Sequence, residues 1–163
     1  VSLVRGRAAE WGLDPNRVGI LGFSAGGVTA AYTALSGADR HYAPIDRVDQ
    51  TPCRPDFALL IYTGGFVERG QTTLRSGVAV GPGTPPLFLV HAFDDGVPVE
   101  NSLLLAAEVK KHGGSAEVHV YDTGGHGYGL RPVPELPVTT WPARAAEWLA
   151  RRGLLRAPAQ AAP

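Results

Sequence analysis

Apolar residues along the chain fall into four short, continuous runs separated by amphipathic or polar stretches. These runs are typical of strands buried on both faces, and they occupy residues 17–23, 56–62, 86–91 and 116–121. Stretches with helical character lie at residues 24–35, 99–112 and 138–152. The alternation of the two patterns predicts an α/β fold in which parallel strands are joined by right-handed crossovers.

The predicted helices differ in how clearly the sequence marks their ends and faces. In the second helix four residues recur at helical spacing: Leu103, Leu104, Ala107 and Lys111. The third helix opens near Thr139 or Thr140 and tolerates Pro142 in its first turn. Its predicted inner face consists of three residues: Ala145, Trp148 and Leu149. Long polar, glycine-rich loops are expected at residues 37–53 and 64–85.

The first strand runs directly into a helix through Gly-Phe-Ser-Ala-Gly at residues 22–26. A Gly-x-Ser-x-Gly turn between a strand and a helix is the nucleophile elbow, which holds its serine in strained backbone with the hydroxyl facing outward. We expect glycine at 22 and 26 because a Cβ at either position would collide with the strand or the helix. This pattern makes Ser24 the candidate nucleophile.

A serine hydroxyl needs a general base, and the base needs a carboxylate to orient it. Asp94 and Asp95 follow the third strand, and His126 follows the fourth in a glycine-rich loop. The order serine, acid, histidine is that of the nucleophile-elbow hydrolases. Asp94 lies three residues before Val97, the spacing expected for the orienting acid, so it is preferred and Asp95 stays the alternative. Either aspartate could instead simply cap the helix that follows.

Four other histidines compete with His126 for the role of base. His41 lies in a polar loop, and His112 falls in the last turn of a helix, where a cation meets the helix dipole. His119 is in the middle of a strand, and His91 is at or near a strand end, where packing in the core is expected. His126 is therefore the preferred base. The alternative is that His126, which lies between glycines, is a surface loop histidine without a catalytic role.

The chain resembles the α/β-hydrolase superfamily, specifically its bacterial acetyl-esterase and acetylxylan-esterase-like group. The segments that carry the resemblance span most of the chain: residues 11–18, 22–27, 54–57, 97–102 and 124–127. The resemblance implies Ser24 as nucleophile, Asp94 as orienting acid and His126 as general base, with the Ala25 backbone N–H as one oxyanion donor. The segment at residues 63–66 departs from the family pattern and is expected to line the substrate pocket.

The complete fold of that superfamily has eight strands, with the elbow after the fifth. Here the elbow arrives by residue 24, so we expect the C-terminal half of the fold, about four parallel strands (5-6-7-8) with flanking helices. The expected organisation is a truncated catalytic domain at 1–156, starting within the helix before the nucleophile strand, and a disordered Ala/Pro tail at 157–163.

Truncation has two expected consequences for the isolated chain. The second oxyanion donor of such enzymes comes from a glycine-rich loop after strand three, and no such loop precedes Ser24. Loss of one donor costs about a hundredfold to a thousandfold in turnover, so we expect weak or no activity. The nucleophile strand would also expose an unpaired edge, which favours self-association.

Composition restricts the partners of this chain. Its 15 basic and 15 acidic residues balance, so no electrostatic footprint for nucleic acid or an anionic membrane is present. Cys53 is the single cysteine and fits no metal spacing. We expect no metal or organic cofactor and no membrane span, and the compartment stays open because the sequence begins inside a predicted element.

The expected function is hydrolysis of short-chain carboxylic esters through an acyl-enzyme on Ser24. An acetylated sugar is the substrate that the resemblance suggests. Two alternatives stay open. The catalytic domain of prolyl-oligopeptidase-type serine peptidases looks similar around the elbow, acid and histidine, and a non-catalytic fragment or interaction module could retain the three residues as a relic.

Overall fold

A computed structural model describes residues 1–36, 40 and 42–155. The expected tail at 157–163 and the loop histidine His41 lie outside the described residues. The helices and strands, in chain order, are α1 Ser2–Gly6, β1 Gly19–Phe23, α2 Ala25–Leu35, β2 Phe57–Ile61, β3 Leu87–Ala92, α3 Glu100–Lys111, β4 Ala116–Tyr121 and α4 Trp141–Arg151. Two short 3-10 turns occur at Arg47–Gln50 and Pro137–Thr140.

The four strands form one parallel sheet in the order β1-β2-β3-β4. Its register aligns Leu21 with Leu59, Leu59 with Phe88, and Phe88 with Glu117. Parallel strands bring their carboxyl ends to one edge of the sheet, so the segments that follow β1, β3 and β4 meet there. The prediction of about four parallel strands with flanking helices is confirmed.

Helices cover both faces of the sheet, which explains the continuous apolar character of its central strands. On one face α2 and α3 pack over a core that includes Leu60 and Leu89. On the other face α4 packs over Ile61 and Phe88, with the fully buried Trp148 at its centre. Successive strand residues therefore serve opposite cores, as the two-residue period of a strand requires.

The long segment between β2 and β3 contains no helix or strand, as its polar, glycine-rich composition predicted. Phe66 and Val67 nevertheless anchor it in the core beneath α2 and α3. The side-chain oxygen of the buried Asn101 accepts hydrogen bonds from the backbone N–H groups of Phe66 and Val67, at 2.8 and 2.9 Å. A residue on α3 thus fixes the course of this loop.

Two details of the helices differ from the sequence expectation. The helix expected before the nucleophile strand is confined to Ser2–Gly6 and continues as turns. In α3 the buried apolar face is formed by Leu105 and Val109, whereas Leu103 is 42% exposed. Because Leu103, Leu104 and Leu105 are consecutive, spacing alone does not single out the inward leucine.

Among the described residues, no helix combines the length and apolar character that crossing a membrane requires.

Candidate active site

Ser24 occupies the sharp turn between β1 and α2, with φ 51° and ψ −119°. Positive φ is unusual for a residue with a side chain, and holding it costs about 1–3 kcal/mol. A Cβ built on Gly22 would lie 2.1 Å from the Gly26 carbonyl oxygen, so glycine is required at 22. The prediction of a strained elbow that presents Ser24 agrees with this geometry.

The expectation for Gly26 is wrong. Outside its chain neighbours and the backbone of its own helix, a Cβ at this position meets no atom within 4 Å, because Gly26 lies on the exposed side of the first turn of α2. The crowded neighbour is Gly27, where a Cβ would lie 2.8 Å from the Thr63 Cβ. The second steric requirement for glycine therefore arises mainly from the loop after β2, with the Gly22 carbonyl oxygen of the strand as a weaker contact at 3.2 Å.

The Ser24 side chain reaches the imidazole of His126, with 2.8 Å between Ser24 Oγ and His126 Nε2. His126 lies in the loop after β4, and its side chain is 37% exposed. The other described histidines have other hydrogen-bond partners: His112 caps α3, His119 bonds Glu117, and His91 is buried in β3 beside Ser102. The structure therefore brings the predicted base and nucleophile together.

Asp95, and not Asp94, contacts His126. Both carboxylate oxygens of Asp95 lie 2.9 Å from His126 Nδ1, and the Asp95 side chain is fully buried. A carboxylate can only accept, so Nδ1 carries the proton and Nε2 is free to accept the hydroxyl proton of Ser24. The prediction of Asp94 as the residue that orients the imidazole is wrong.

Asp94 has a different task in the same loop. Its carboxylate accepts hydrogen bonds from the Gly125 N–H at 2.8 Å and from the Thr123 hydroxyl at 2.9 Å. These two bonds, the backbone bond first, hold the pKa of Asp94 below its usual range. Asp94 thus ties the β3 loop to the loop that carries His126, whereas the next residue faces the imidazole itself.

Tyr62 supports the other side of the imidazole, a role that sequence patterns did not indicate beyond its place after β2. Its ring meets that of His126 edge-on, with 4.8 Å between centroids, and packs against Tyr128 at 4.6 Å. Tyr62 is buried and has φ 41°. The strained backbone at the end of β2 therefore turns an aromatic ring against His126, which limits the rotation of the imidazole.

Ala25 is the first residue of α2, so its backbone N–H has no acceptor within the helix. The N–H follows Ser24 directly and lies at the positive end of the helix dipole. This is the position that the sequence prediction assigned to an oxyanion donor.

The loop that follows β2 borders the elbow, and the lining of the substrate pocket by residues 63–66 stays a prediction. An added Cβ at Gly65 would lie 3.3 Å from a Val28 side-chain carbon, and one at Gly64 would lie 2.9 Å from Val97 Cγ1. The two glycines let this backbone approach both α2 and the loop of Asp95. Side chains with a Cβ at these positions would push the loop away from Ser24.

Comparison with known proteins gives a consistent set of relatives, although no protein-family model matches the chain. An acetylxylan esterase from Xylanibacter ruminicola is 28% identical over an alignment of 153 residues, and the match covers 78% of this chain and 29% of that protein. The crystal structure of an acetyl ester-xyloside bifunctional hydrolase from Caldicellulosiruptor lactoaceticus has a TM-score of 0.84 and 33% identity, covering 95% of this chain and 64% of that one.

Esterase 2 of Thermogutta terrifontis, phosphonylated by cyclosarin, has a TM-score of 0.80 at 27% identity. The match covers 97% of this chain and 63% of the esterase chain. The chain thus spans less than two thirds of these solved chains and under one third of the acetylxylan esterase. The similarity to these two solved structures extends over at least 95% of this chain, including the parallel sheet and the elbow. The chain therefore has the fold of the C-terminal part of an α/β-hydrolase, and the relatives that it resembles are carboxylic ester hydrolases.

Proposed function

We propose that this protein is a serine esterase that hydrolyses short-chain carboxylic esters through an acyl-enzyme. The observation that carries the proposal is the unbroken chain of contacts from Ser24 Oγ to His126 Nε2 at 2.8 Å and from His126 Nδ1 to Asp95 at 2.9 Å. The roles are nucleophile for Ser24, general base and acid for His126, and orienting carboxylate for Asp95.

The reaction follows from the proton positions. His126 Nε2 takes the hydroxyl proton as Ser24 Oγ bonds to the ester carbonyl carbon, and Asp95 stabilises the resulting imidazolium. His126 then gives this proton to the alcohol oxygen as the carbon–oxygen bond to the leaving alcohol breaks. Water repeats the sequence: His126 accepts a water proton, the hydroxide oxygen attacks the acyl carbon, and the proton returns to Ser24 as the acid leaves.

The charge that develops on the carbonyl oxygen needs a hydrogen-bond donor in place before the reaction begins. We assign the Ala25 N–H to this task because it lacks an acceptor within α2 and belongs to the residue that follows the nucleophile. The dipole of α2 adds to the stabilisation of the negative oxygen.

The names of the relatives support an acetyl ester as the substrate, with a sugar as its alcohol component. The curated relative is an acetylxylan esterase, and one structural relative is an acetyl ester-xyloside hydrolase. A small acyl group also suits a loop at Gly64 and Gly65 that is drawn close to Val28 and Val97.

We also propose that copies of the chain associate through the outer edge of β1. This strand pairs with β2 on one side, and within the described residues no strand pairs with its other side. Leu21 on β1 is 46% exposed. Unpaired backbone groups beside an exposed apolar side chain favour pairing with another molecule.

Turnover of p-nitrophenyl acetate by the purified chain tests the proposed chemistry. We expect weak but measurable hydrolysis that Ser24→Ala abolishes, while Ser36→Ala, a control serine at the end of α2, leaves it unchanged. A substrate with an amide after proline should not be cleaved, which separates the esterase from the peptidase alternative. A Ser24→Ala variant that is as active as the wild type would contradict the proposal.

A further inference from the structure

His91 is a fully buried histidine on β3 that has no part in the reaction described above. Its Nε2 lies 3.1 Å from the Val97 carbonyl oxygen and 3.5 Å from Asp95 Oδ2. Its Nδ1 lies 2.8 Å from the hydroxyl of Ser102, a buried residue of α3. The ring therefore connects strand, helix and the loop that carries Asp95.

The hydrogen-bond partners define which nitrogen carries the proton. The Val97 carbonyl and the Asp95 carboxylate can only accept, so a hydrogen must reside on Nε2. In the neutral ring Nδ1 is then an acceptor, and the Ser102 hydroxyl donates to it. Ser102 thus fixes the tautomer that turns an N–H toward Val97 and Asp95.

Val97 closes this arrangement into a ring of contacts. Its backbone N–H donates to Asp95 Oδ1 at 2.7 Å, while its carbonyl accepts from His91. The Asp95 side chain is therefore held by Val97 on one oxygen and faces the His91 N–H with the other, in addition to its contacts with His126. Rotation of the carboxylate away from His126 would break this set of contacts.

Burial favours the neutral form of His91 by lowering the pKa of its imidazole. Asp95 and the Val97 carbonyl raise this pKa, each with a smaller effect than burial, while the still smaller effects of His126 and Glu100 lower and raise it, respectively. A neutral ring offers Asp95 a fixed N–H dipole without a competing full positive charge. The carboxylate charge therefore stays available to His126.

We infer that His91 is a positioning residue: its Nε2–H, oriented by Ser102, holds the Val97 turn and the Asp95 carboxylate against His126. The inference rests on the proposed function for its effect on turnover, but the hydrogen bond it protects can be observed without any substrate. His91 touches neither the nucleophile nor the expected position of the ester, so its loss should lower kcat and leave KM nearly unchanged.

The test compares His91→Leu with His91→Gln in the complete chain. Leucine removes the donor, whereas the amide nitrogen of glutamine lies the same number of bonds from Cβ as Nε2 and keeps it. His112→Leu is the matched control, because His112 lies at the far end of α3. The two readouts are the downfield proton resonance of the His126 Nδ1–H bonded to a carboxylate, and kcat and KM with p-nitrophenyl acetate.

We expect His91→Leu to lose the downfield resonance and to lower kcat about tenfold to a hundredfold, the cost of a slightly misplaced group. His91→Gln and His112→Leu should keep both. The inference would be overturned if His91→Leu kept the resonance and the wild-type kcat. It would also be overturned if a folded His91→Gln variant were as defective as His91→Leu. If His91→Leu fails to fold, Ser102→Ala replaces it, and an unchanged resonance and kcat there overturn the inference equally.

The two proposals fail in different ways. A wild-type chain that shows the resonance but hydrolyses no ester would contradict the proposed function alone, and the variants would still test the positioning role by their resonance. A wild-type chain that hydrolyses the ester without the resonance would contradict the positioning role alone.

Discussion

Ser24 and Tyr62 are the non-glycine residues with positive φ among those that the structure describes. Both contact His126, one through a hydrogen bond and the other through its ring. Each strained backbone costs about 1–3 kcal/mol and persists only where its surroundings hold it. The strain of this molecule is therefore concentrated around one imidazole, where it fixes the nucleophile on one side and the ring packing on another.

Adjacent aspartates with different contacts give a direct comparison at the level of single residues. In Asp95→Asn the side chain can no longer accept from His126 Nδ1 with both oxygens, so the imidazole loses its productive tautomer. We expect kcat to fall about a thousandfold to ten-thousandfold. In Asp94→Asn an oxygen still accepts from Gly125, and we expect less than about a tenfold loss.

Steady-state kinetics with p-nitrophenyl acetate on both variants provides this comparison, with circular dichroism to show that each one folds. A larger loss in Asp94→Asn than in Asp95→Asn would mean that the aspartate spacing predicted the acid correctly and that the contacts of Asp95 have no catalytic role.

In the elbow, backbone geometry decides directly which residue type a position can hold. A side chain at 22 would strike the backbone of Gly26, whereas one at 26 meets open space. We expect Gly22→Ala to lower the free energy of unfolding by about 3 kcal/mol through overpacking. Gly26→Ala should raise it by about 0.5–1 kcal/mol, since alanine is the better helix former.

Urea denaturation of the two variants beside the wild type measures this difference. Equal stability of Gly22→Ala and Gly26→Ala would contradict the geometry of the elbow. The pair forms its own control, because the substitution is the same and the two positions lie four residues apart.

Strand identity, strand order and the elbow could be predicted because each depends on local patterns: continuous apolar runs, helix starts and a glycine-flanked serine. The orienting acid could not, since Asp94 and Asp95 share a turn and differ only in tertiary contacts. Gly125 and Thr123 bind the first, while the Val97 N–H and His126 bind the second. The inner face of α3 could not be predicted for the same reason, because its three consecutive leucines differ in their tertiary contacts and not in residue type.

For the whole molecule, the open edge of β1 makes the oligomeric state a testable property. We expect the chain to elute in light-scattering chromatography above the mass of one copy, 17.1 kDa, because an apolar strand edge attracts other chains. Leu21→Lys should shift it toward the monomer, since a charge on an edge strand opposes pairing. Leu103→Lys, on a similarly exposed leucine of α3, should not.

A monomeric wild-type chain at all concentrations would contradict association through β1. An equal shift by both lysine variants would show that general surface charge, and not the strand edge, governs the association.

Reaction of the folded chain with a fluorophosphonate, followed by mass-spectrometric mapping of the adduct, tests the central claim most directly. The reagent forms a bond to a serine oxygen only where a neighbouring base activates it. The contacts among Ser24, His126 and Asp95 predict one adduct, on Ser24, that is absent in Ser24→Ala and forms far more slowly in His126→Ala. A folded chain with no adduct on Ser24, or with unchanged labelling in His126→Ala, would contradict the account.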